Sequence, residues 1–152
     1  MRKTLTGLAV TVVAAGAAVF GLTGPAAAAP SLRFHGAQYD APGTDTRTNS
    51  HLNQEWISLI NTGSRSVQLK GWRIRDAAGH VFTFGTTTIA ANGGRVWVRT
   101  GKGTPYPRNR YCGSGNYIWN NTGDTAHLRN PAGGLHDTCS WGQQSGRIWV
   151  GR

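Results

Sequence analysis

Beyond residue 30 the chain is broken by turn signals about every 8–12 residues, and this punctuation constrains the fold more than any other feature. Asn61-Thr62-Gly63-Ser64, Asp76-Ala77-Ala78-Gly79 and Ala91-Asn92-Gly93-Gly94 are three such breaks, and residues 120–124 and 130–134 supply two more. The pieces between them are too short for stable helices and alternate with period two. Leu32 and Phe34 share a face, as do Phe82 and Phe84, Val96 and Val98, and Ala126 and Leu128. Residues 55–61, Glu-Trp-Ile-Ser-Leu-Ile-Asn, are dense in β-branched and aromatic side chains and form the strongest strand candidate. No amphipathic helix and no internal repeat is visible. The pattern predicts an all-β protein, a sandwich of about eight short strands. Residues 40–53 and 101–110 read as long polar loops, and residues 142–152 as a Gly- and Arg-containing C-terminal tail.

The first 28 residues follow a different logic. Met1-Arg2-Lys3-Thr4 is a short basic start, residues 5–24 are uncharged and mostly apolar, and Ala26-Ala27-Ala28 fits a small-residue cleavage site. That order is expected of a secretory signal peptide, with Ala29 as the new N-terminus and the sandwich domain at 29–141. The remaining 124 residues hold 14 Lys+Arg, 12 of them Arg, against 6 Asp+Glu, a net charge of +8. No further stretch is long and apolar enough to span a membrane. Glycine makes up 18 of these residues, which again disfavours long helices. The expected location is therefore extracellular, with possible attachment to the cell surface.

Four stretches in order carry a resemblance. They are Leu52-Asn53-Gln54-Glu55-Trp56-Ile57 leading to Asn61-Thr62-Gly63; Leu69-Lys70-Gly71-Trp72 followed by Asp76-Ala77-Ala78-Gly79-His80 and Phe82-Thr83-Phe84; Thr100-Gly101-Lys102-Gly103-Thr104; and Tyr111-Cys112-Gly113-Ser114-Gly115 leading to Trp119-Asn120-Asn121-Thr122-Gly123-Asp124-Thr125-Ala126. They resemble, in order, the lamin tail domain family in its bacterial secreted form, a resemblance that covers roughly residues 30–141. The resemblance implies an immunoglobulin-like β-sandwich and an interaction module. In nuclear lamins this domain is linked to proteins and DNA; in bacteria adhesive or targeting roles have been suggested. It carries over no catalytic residue, because its motifs are turn and core residues. Asn61, Gly63, Gly71, Gly79, Gly123 and Asp124 read as turn formers, and Trp56, Trp72, Trp119, Phe82 and Phe84 as core.

Two departures from the family pattern stand out. Cys112 and Cys139 occupy positions that usually hold other residues, and they are the only cysteines. In an exported chain a lone pair is expected to form a disulfide. The second departure is charge. Arg73 and Arg75 flank Ile74, while Arg95, Trp97 and Arg99 alternate with Val96 and Val98. If the two strands share a sheet, these five residues form one exposed basic face, suited to phosphates or carboxylates.

An enzyme needs a constellation that the sequence does not offer. There is no Gly-x-Ser-x-Gly elbow, and Gly101-Lys102-Gly103-Thr104 lacks phosphate-loop spacing. The five histidines show no zinc spacing, although His127 and His136 are candidates to meet across adjacent strands near Asp137. Asp40, Asp45 and Glu55 are weak calcium candidates around the 40–53 loop. No cofactor is implied. The expectation is a secreted, non-catalytic module that binds a polyanion, either nucleic acid or an anionic cell-wall polymer, or a protein partner. The alternative is a carbohydrate module stacking sugars on exposed Trp97, Trp141 or Trp149, and a small hydrolase is the least favoured reading.

Overall fold

The computed structural model describes residues 31–150; the proposed signal peptide lies outside them. Two sheets pack face to face as an immunoglobulin-like β-sandwich. The first has five strands in the order β11 (Arg147–Trp149), β1 (Leu32–Gln38), β2 (Trp56–Asn61), β7 (Gly94–Arg99) and β8 (Asn109–Tyr111). The second has four, β10 (Leu135–Gly142), β9 (Gly123–Arg129), β4 (Arg73–Arg75) and β5 (Val81–Thr83). A two-stranded ribbon of β3 (Val67–Gln68) and β6 (Thr88–Ile89) joins them. Every pairing is antiparallel except β7 with β8. The 40–53 loop ends in one helical turn, α1 (Asn49–Leu52), whose N-cap Thr48 accepts from the His51 amide.

The alternating residues meet between the sheets. Phe34, Ile57, Leu59, Val96 and Val98 of the first sheet face Ile74, Ala126, Leu128, Cys139 and Trp141 of the second. Tyr39 stacks on Trp141 at 5.0 Å, and Trp119 meets Trp141 edge-on at 5.5 Å. The Trp141 indole N–H donates to the Asn120 carbonyl, so this buried ring keeps its polar handle satisfied.

A bulge in β1 sets what shows on the outside. The pairing with β2 slips between Phe34 and Gly36, leaving His35 as the extra residue. Leu32 and Phe34 point inward before it, and Ala37 and Tyr39 after it. Gly36 and Gln38 are thereby turned to the outer face.

The turn residues behave largely as expected. Gly71, Gly79 and Gly123 hold positive φ, at 81°, 102° and 146°. Asn61 is fully buried; its Oδ1 accepts from the Gly63 amide, and its Nδ2 donates to the carbonyls of Arg65 and Ala90, tying two turns together. Two readings change. Residues 142–152 are not simply a tail beyond the domain, because Arg147–Trp149 add β11 to the edge of β1. Trp56 is not core: Ile57 and Leu59 take the inner positions of β2, so parity places Trp56 on the outer face. Trp72 and Phe82 are only partly buried against the core.

Candidate functional site

The outer face of the five-stranded sheet is built in three rows that cross the strands. In the central row, Trp149 lies opposite Gly36, Gly36 opposite Ser58, Ser58 opposite Trp97, and Trp97 beside Asn109. In the row on one side, Arg147 lies opposite Gln38, Gln38 opposite Trp56, and Trp56 opposite Arg99. In the row on the other side, Arg33 lies opposite Ile60, and Ile60 opposite Arg95. Strands are about 4.8 Å apart and same-face residues along a strand about 7 Å apart. The result is a central row carrying Trp97 and Trp149, with Arg99, Trp56 and Arg147 on one flank and Arg33 and Arg95 on the other. The outward positions of these five strands hold no Asp or Glu.

The side chains are held in place. A Cβ at Gly36 would lie 2.6 Å from the Trp149 ring, so the missing side chain is what lets the indole rest on the sheet. Trp149 packs against Trp56 at 5.6 Å and His35 at 5.0 Å, yet remains 47% exposed. Arg99 donates to Asn109 Oδ1 at 2.8 Å and to the Asn53 carbonyl at 2.7 Å. Arg147 donates to Gln38 Oε1, and Arg33 to the Val150 carbonyl. Burial, reinforced by Arg95 and then Arg33, lowers the His35 pKa, and its Nδ1 is buried without a partner. An anion on this flank would meet the guanidinium groups of Arg33 and Arg95.

The five predicted basic-face residues do not form one surface. Arg95, Trp97 and Arg99 lie on β7 in the first sheet, but Arg73 and Arg75 lie on β4 in the second. With Ile74, Val96 and Val98 all pointing inward, the two sets face opposite sides of the sandwich. Arg73 and Arg75 stand instead beside Arg129 and His127 of β9. Arg33, His35, Trp56 and Arg147 complete the β7 surface and were missed. The Arg-Ile-Trp alternation at 147–149 repeats the Arg95-Val96-Trp97 pattern and is the signal that reveals β11.

The expected disulfide is absent, and both cysteines are free. Cys139 lies on β10, at one edge of the second sheet. Cys112 follows β8 and faces Ile74 of β4 and Phe82 of β5, lining a cleft of about 200 Å³ at the opposite edge. Two strand spacings and the gap between sheets are each about 10 Å, beyond a disulfide's Cα reach of about 7 Å. Burial pushes both thiols up to about 12, helped by Glu55 at Cys112 and Asp137 at Cys139.

The other candidates also separate. His127 pairs with Thr138, not His136, whose Nε2 bonds the Leu32 carbonyl while its ring meets Trp72 edge-on at 4.8 Å. Asp40 lies against the Gly146 turn, whereas Glu55 is buried before β2. Glu55 Oε1 accepts from Thr100 Oγ1 at 2.5 Å and the Ile118 amide at 2.8 Å, while Oε2 has no partner. Burial raises this carboxyl to about 7 against those hydrogen bonds, and Asp45 adds to the rise. Among the described residues no group of three or more His, Cys, Asp or Glu side chains is placed to hold a metal ion. No helix among them is long and apolar enough to cross a membrane. Of the tryptophans considered for sugar stacking, Trp141 is in the core, and Trp97 and Trp149 share the arginine-flanked face.

No curated protein matches the chain in sequence. The model of the Lamin Tail Domain family, a non-enzymatic immunoglobulin-like domain, matches residues 25–143. With that match spanning most of its length and two packed sheets built from the motif-bearing strands, the chain belongs to the lamin tail domain family.

Proposed function

We propose that this chain is an exported, non-catalytic interaction module that binds a polyanion through the outer face of its five-stranded sheet. The observation that carries the reading is the row order, a central tryptophan row between two arginine flanks with no Asp or Glu at the outward strand positions. Arginine favours phosphates and carboxylates, and guanidinium groups already anchored by hydrogen bonds lose less freedom on binding. A neutral sugar would use the rings but gain nothing from four surrounding cations, so the charge favours an anionic polymer. The family's character as an interaction module points the same way. Export rests on the sequence of residues 1–28.

The test compares two double variants that remove equal charge, Arg95→Ser/Arg147→Ser and Arg73→Ser/Arg75→Ser. Binding to random-sequence duplex DNA, used as a generic polyanion, is measured at 50 and 150 mM salt, values of about the range over which phosphate contacts lose most affinity. The first variant is expected to lose about tenfold or more in affinity and about two in salt slope, and the second less than about threefold. Equal losses would refute this face as the binding surface.

A further inference from the structure

Resting on that reading, we infer that the polyanion is a single-stranded nucleic acid, whose bases stack on Trp149 and Trp97 while its phosphates meet the flanking arginines. Trp149 lies over Gly36, where any Cβ would collide with its ring. The indole therefore covers the sheet and keeps nearly half of its surface open. Between Trp149 and Trp97 the row holds only Gly36 and Ser58, so no tall side chain separates the two platforms, about 14 Å apart across three strand spacings.

A double helix hides the faces of its bases in its own stack and offers phosphates and base edges, but no face for a ring to stack on. A single strand offers both, and every base has a π-face. The surface matches that pairing, because its apolar platforms lie inside and its cations lie to either side. Arg33 and Arg95 lie on one flank, either side of Ile60, with the His35 ring packed on Trp149 beside them. A phosphate there meets two guanidinium charges, those of Arg33 and Arg95. A poly(glycerol phosphate) chain supplies the same phosphates without rings to stack, so it separates the charge from the stacking.

The purified protein is titrated with dT12, with a 12-base-pair duplex and with poly(glycerol phosphate), following tryptophan fluorescence and, independently, calorimetry. The probe lengths are about the site size of single-strand-binding domains. The expected order places dT12 tightest, with quenched fluorescence. Trp149→Ala is expected to weaken dT12 about fivefold or more and to leave the other two polymers unchanged. Trp149→Phe, which keeps an aromatic face on Gly36, is expected to retain most of the dT12 affinity and guards against a folding artefact. Equal binding of all three polymers, insensitive to Trp149→Ala, overturns the single-strand inference and leaves the polyanion reading standing. Binding of none of them overturns both.

Discussion

On the five-stranded sheet, Arg99, Arg147 and Arg33 each donate hydrogen bonds to neighbouring groups, and three tryptophans fill the space between them. On the four-stranded sheet, Arg73 and Arg75 are exposed, Arg73 sits directly opposite Arg129 and Arg75 opposite His127, and neither row carries a Trp, Tyr or Phe. The two outer surfaces are similar in charge and different in organisation. One is anchored and amphipathic, so a ligand finds its contacts already placed. On the other, like charges oppose each other across strands and must be ordered on binding. Arg129 is itself anchored, donating to the Gly133 carbonyl at 3.0 Å, so the tryptophan rings distinguish the two faces more than arginine count does.

Each sheet also buries one carboxylate at a strand end, and these give the largest expected contrast. Glu55, before β2, leaves Oε2 unpartnered. Asp76, after β4, uses both oxygens: Oδ1 accepts from the Gly79 and His80 amides, and Oδ2 contacts His80 Nδ1 at 2.6 Å. The Glu55 pKa is raised from 4.5 to about 7, so between those values the folded state holds a proton that the unfolded state releases. Its effect on stability is neutral below pH 4.5 and becomes a growing penalty as pH rises toward 7, reaching about 3 kcal/mol. Glu55→Gln is expected to remove this slope and to be more stable than the parent at pH 8. Asp76→Asn is expected to lose about 1–2 kcal/mol at the same pH, because a charged acceptor is replaced. Urea unfolding at pH 5 and pH 8 checks both, and a Glu55→Gln variant that keeps the parent's slope contradicts the assignment.

A smaller contrast concerns the arginines themselves. Arg99→Ala removes donors from Asn109 and the Asn53 carbonyl, and is expected to cost about 1–2 kcal/mol of stability. The smallest effect has the opposite sign. Arg73→Thr relieves the opposed pair with Arg129 and adds a β-branched residue to a strand, for a gain of up to about 0.5 kcal/mol at low salt. Thermal unfolding of the two variants side by side measures both. A loss at Arg73 as large as that at Arg99 erases the distinction between the faces.

Much of the sandwich was legible because its signals are local. Alternation at Val96 and Val98 or Ala126 and Leu128 reports which side of a strand is buried, and Asn61 or Gly79 reports a turn, whatever the rest of the chain does. The basic surface was legible only in part. Arg95, Trp97 and Arg99 follow from alternation within one strand, whereas joining them to Arg73 and Arg75 required knowing which sheet each strand enters. Trp56 reads as core in the sequence because it belongs to a motif whose residues are turn formers and core. Its outward position follows from parity with Ile57 and Leu59.

The sequence by itself determined the class of the fold, the family and the faces of individual strands, because turn chemistry and period-two patterning act over a few residues. Tertiary structure alone decided which strands are neighbours. It sent β4 and β7 to opposite sheets, parted Cys112 from Cys139, and brought residues 147–149 back against β1, more than a hundred positions away. Those outcomes depend on burying all the apolar faces at once between two layers, a condition that no single segment encodes.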